Sequence, residues 1–142
     1  MAYAGPCWDY DNAYGCYTAR THAKATLDPK GFLAGNSEYS TGWWVQLCTH
    51  DDFMAEVHTE YATTFTRALK ILLGEMPDDS GVLMSLDEYA ERVRASAAMN
   101  FIRWPIDGEE NTDTGADFEE NVEYLRTFIT KRRQWLDTQW LD

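Results

Sequence analysis

The chain has 142 residues, 44% of them hydrophobic and 14% aromatic, which is enough for one packed domain or part of a larger one and argues against disorder. Its 24 acidic and 12 basic residues leave a formal charge of −12, so the chain as a whole repels nucleic acid and anionic membrane. It contains no run of about 18 apolar residues that would span a bilayer. Its three cysteines, Cys7, Cys16 and Cys48, form neither a CxxC pair nor a zinc-like cluster with histidine.

In chain order, residues 1–20 read as a short extended segment and a loop. Within it, Asp9 and Asp11 lie two residues apart, between the apolar Cys7-Trp8 and Gly15. In a strand, residues i and i+2 point to the same face, so both carboxylates can meet one cation. Mg²⁺ suits such a site, because it takes one or two carboxylates and completes its shell with water and phosphate. From spacing alone, a surface turn with two solvated aspartates is the more economical reading. An EF-hand loop does not fit, since Ala13 occupies a ligand position and Gly15 is one residue late.

Residues 21–42 hold Pro29, Gly31, Gly35 and Gly42 without strong periodicity and read as a long loop with one helical turn. Trp43, Trp44 and Leu47 suggest a short helix packed on the core. A longer helix is expected from about Asp51 to Gly74, with the stripe Phe53, Val57, Tyr61, Phe65, Ala68 and Leu72. Gly74 and Pro77 stop it.

Ser85 and Glu88 have the spacing of a capping box. The helix they open carries Leu86, Tyr89, Ala90, Val93 and Ala97 on one face and ends at Trp104-Pro105. Residues 107–115 read as a solvated acidic loop, since a calcium loop would need glycine at Thr112 and glutamate at Phe118. A last helix is expected over about Asp117 to Gln139, with Phe118, Val122, Leu125, Ile129 and Leu136 on one face and Phe128 and Trp135 widening it. Lys131, Arg132 and Arg133 read as a charge bias matching the negative end of that helix. Lys24, Lys30, Lys70, Glu56 and Glu60 read as solvated, and His22, His50 and His58 have no metal spacing.

Four segments, in order, carry a family resemblance. Gly5-Pro6-Cys7-Trp8-Asp9-Tyr10-Asp11-Asn12-Ala13-Tyr14-Gly15 resembles the tryptophan–aspartate stretch of the CotH kinase family, the spore-coat-protein-H-type atypical protein kinases. Trp43-Trp44-Val45-Gln46-Leu47 with Asp52-Phe53, Asn100-Phe101-Ile102-Arg103-Trp104, and Glu123 through Asp137 with Arg132, Trp135 and Leu136 resemble its later motifs. The resemblance implies a mainly α chain, the C-terminal helical lobe of a kinase-like α+β fold with a short N-terminal strand or loop and three to four helices. It implies phosphoryl transfer from ATP to protein hydroxyls with Mg²⁺ or Mn²⁺, with Asp9 as the metal ligand and Asp11 as its helper. It places the ATP-binding lysine, the nucleotide lobe and the catalytic-loop aspartate before this segment, so residues 1–142 are expected to be a partial domain, inactive alone, whose partners are the missing lobe and a protein substrate. It also implies a secreted, cell-surface or spore-associated parent. The alternatives are a non-catalytic helical module that binds a protein or carbohydrate through its tryptophans, and a remnant that leaves an apolar face exposed without its lobe.

Overall fold

The structure, a computed structural model, describes residues 27–38, 40, 42–104 and 117–141. Within these residues the fold is mainly α. A 3-10 turn at Leu33–Gly35 precedes α1 (Gly42–Leu47) and α2 (Asp51–Glu60). A π-helical turn (Tyr61–Phe65) joins α2 to α3 (Thr66–Leu72), and α4 (Leu86–Arg103) and α5 (Phe118–Trp140) follow. No strand occurs among the described residues. The expected N-terminal extended segment and the acidic loop at 107–115 lie outside them.

The long α5 is the centre of the arrangement, with α3 and α4 both packed on it. Its N-cap is Asp117, whose Oδ1 accepts from the Glu120 amide at 2.9 Å, and Glu119 and Glu120 load the first turn. Phe128, Ile129 and Leu136 are buried along it. With Tyr61, Ile71, Leu86 and Ala90 they form the core of the described residues. Phe128, expected only to widen the apolar face, is thus among its most buried residues.

The stretch from Asp51 to Leu72 departs from the expected single stripe. Tyr61 through Phe65 follow the wider π repeat, and the Thr66 hydroxyl donates to the Tyr61 carbonyl at 2.8 Å, five residues back. The extra residue rotates the apolar face: Tyr61 is buried, whereas Phe65, four residues on, is 60% exposed and Ile71 replaces it in the core. The stop is as expected. Gly74 has φ +75°, the Glu75 amide donates to Lys70 at 2.8 Å and the Gly74 amide to Ile71 at 2.9 Å, the two bonds of a Schellman ending.

The short α1 forms where expected, but its tryptophans do not pack on the core. Trp43 and Trp44 are 76% and 51% exposed, while Val45 and Leu47 are half-buried. A six-residue helix resting on the Leu33–Gly35 turn has one covered face, and the smaller side chains occupy it.

The loop from Leu73 to Ser85 is organised by one carboxylate. Asp78 is 1% exposed at its side chain; its Oδ1 accepts from Arg67 Nη2 at 2.9 Å. Its Oδ2 accepts from the Ser80 hydroxyl at 2.6 Å and from the Val82 and Leu83 amides at 3.0 and 2.9 Å. These donors, the Ser80 hydroxyl foremost, then Leu83 and Arg67, hold the carboxyl well below the usual carboxylate range. The loop delivers the chain to the expected capping box: the Glu88 amide donates to Ser85 Oγ at 3.3 Å and the Ser85 amide to Glu88 Oε2 at 2.8 Å. Leu86 and Ala90 then face inward. Ala97 and Phe101 are half-buried, but Tyr89 and Val93, expected on the same face, are exposed. The helix ends at Arg103, before Pro105.

Ion pairs fix α4 against α5: Arg126 bridges to Asp87, and Arg94 to Glu119. No described helix is long and apolar enough to cross a membrane.

Candidate functional site

Asp9 and Asp11 lie outside the described residues, as do Cys7, Cys16, His22 and Lys24. Among the described residues no group of three or more histidine, cysteine, aspartate or glutamate side chains is placed to hold a metal ion. Glu56 and Glu60 are exposed on α2, and Lys30 is exposed, as expected. Lys70 is half-buried in the last turn of α3. His58 is half-buried, its ring stacked on Trp140 at 5.8 Å. Cys48 is a half-buried free thiol beside Phe32, Gly35 and Met54 in an open groove of about 450 Å³.

What the structure does describe is the chain downstream of the aspartate segment and its seat on α5. Asp28 Oδ1 accepts from the Lys30 amide at 2.9 Å, closing a small turn around Pro29. Gly31 follows with φ +107°, a conformation that side-chain-bearing residues rarely adopt. The turn presents two carbonyls to one guanidinium: Arg132 Nη1 donates to Pro29 at 3.2 Å and to Gly31. The same guanidinium lies over the Trp135 ring at 5.2 Å, a cation–π contact. One residue on, the Phe32 ring meets Trp140 edge-to-face at 5.3 Å.

A second cluster ties α5 to the start of the π turn. The buried Tyr61 donates its hydroxyl to Asp137 Oδ1 at 2.7 Å and packs edge-to-face on Trp140 at 5.3 Å. Burial first, then the hydrogen bond to Asp137 and its negative charge, raise the Tyr61 phenol above its ordinary range, so it stays a neutral donor. Arg133 pairs with Glu75 at 2.6 Å and, more loosely, with Asp137 at 3.6 Å.

These contacts explain the residues of the last motif. Arg132 and Arg133 do not act through the helix dipole, because α5 runs on to Trp140 and the dipole effect is confined to the final turn. Arg132 holds the 29–31 turn, Leu136 fills the core, and Asp137 orders Tyr61. Periodicity alone does not reveal the contacts of Arg132, Arg133, Tyr61 and Asp137. The signal was present: Arg132 and Arg133 interrupt the apolar face between Ile129 and Leu136, where a solvated arginine has no place. In the third motif, the Arg103 guanidinium lies over the Trp104 ring at 4.9 Å, and Ile102 is 84% exposed.

The comparisons with known proteins agree with the resemblance. The family model described as CotH kinase protein matches residues 2–136. No curated protein and no solved structure matches the chain. The match takes in the tryptophan–aspartate segment, all the described helices up to Leu136, and Arg132, which seats the 29–31 turn. The chain belongs to the CotH kinase family.

Proposed function

We propose that this chain carries the metal side of an ATP-dependent protein kinase site, with Asp9 as the principal ligand of Mg²⁺ or Mn²⁺ and Asp11 as its helper. The observation that supports this most is the segment Trp8-Asp9-Tyr10-Asp11 inside a family match running from residue 2 to residue 136. The donor set is suited to the ion: hard carboxylate oxygens, two in number, leave coordination positions for water and nucleotide phosphate. When bound, the ion would neutralise phosphate charge as a phosphoryl group passes to a protein hydroxyl. The part of this chain is to hold the cation and to fix the segment that holds it. Positioning and charge stabilisation together make such a reaction fast, and residues 1–142 contain no glycine-rich phosphate loop. The 142-residue chain is therefore expected to bind the cation without transferring phosphate by itself.

The test is Mn²⁺ binding to the full chain, followed by the paramagnetic signal of the free ion. Asp9→Ala is expected to weaken binding by about tenfold or more, on the scale at which lost metal-site groups act. Glu56→Gln, on the exposed face of α2, should leave it unchanged and so corrects for general acidity. Equal binding in Asp9→Ala and the parent chain would remove Asp9 from the site.

The exposure of Trp43 and Trp44 favours a second reading, a binding module for a protein or carbohydrate. It calls for ligand binding that survives Asp9→Ala and is lost when both tryptophans become alanine.

A further inference from the structure

We draw no further inference here: the strongest candidate, the uncharged outward strip of α4 formed by Ala95, Ala98, Met99 and Ile102, is an exposed apolar helix face, and nothing among the described residues shows what covers it.

Discussion

At the scale of single residues, the chain assigns its charged side chains with little redundancy. Asp78 accepts four hydrogen bonds while nearly withdrawn from solvent, and Glu88 accepts from both the amide and the hydroxyl of Ser85. Both carboxyls are held below their ordinary range, Asp78 chiefly by the Ser80 hydroxyl and Glu88 chiefly by the Ser85 amide. A carboxyl whose folded pKa is depressed contributes stability that is fully present above its unfolded pKa, about 4. That contribution fades as pH falls through the interval down to the folded value. Stability is therefore expected to decline below about pH 4. Asp78→Asn should be less stable than the parent at pH 6 and should have the shallower acid limb, as read from urea melts between pH 2 and pH 6. Equal acid slopes would remove Asp78 as a contributor.

The elements show how far periodicity and end signals carry a sequence reading. The Ser85 capping box, the Gly74 stop, the Trp104-Pro105 ending and the Asp117 start are all local chemistry, and each is found where the residues put it. Gly74→Ala is expected to cost about 1 kcal/mol in thermal or urea unfolding, because a side chain at φ +75° meets its own backbone. The nearest foreign atom to such a side chain is the Ser85 Cβ at 4.0 Å, so crowding adds little. Two features were not legible. The π turn leaves no mark in a pattern of threes and fours, and Phe65 continued the apparent stripe while facing solvent. Hydrophobicity alone puts the tryptophans of α1 in the core, yet a helix of six residues has too little contact to bury them. The seat on α5 was hidden for a different reason. It joins Arg132 to carbonyls about 100 residues earlier, and carbonyls are present at every position of any sequence.

For the whole molecule, burial and exposure are unevenly shared. The described core is seven side chains, while large apolar residues including Trp43, Trp44, Phe65, Val82, Met99, Ile102 and Trp104 face outward. The second half of α4 is unusual: from Ala95 to Ile102 it contains no charged residue, and Met99 and Ile102 lie across the helix from the inward Ala90 and Ala97. Large apolar side chains on two opposite faces of a helix are ordinarily covered on both. The chain in solution is expected to bind a hydrophobic dye such as ANS. Replacing Met99 and Ile102 together by Gln should reduce that fluorescence with little change in melting temperature. Unchanged fluorescence would place the dye elsewhere, on the α1 tryptophans first. The family and the mainly α architecture were legible from motifs spread along the whole chain. Distances between those motifs were not, because motif order carries none.

The π turn gives the helix hairpin a property that its composition would not suggest. A helix is a screw, and two stretches of it share a working face only if they are in phase. Here the upstream stretch keeps Tyr61 on α5 and the downstream stretch keeps Ile71 in the core, although the two are out of step by one residue. Tyr61–Phe65 is the place where the mismatch is absorbed. Deleting one residue there would restore the ordinary four-residue repeat and leave Ile71 and Arg67 nearly where they are, whereas deleting one from a stretch without such a turn would rotate everything beyond it by about 100°.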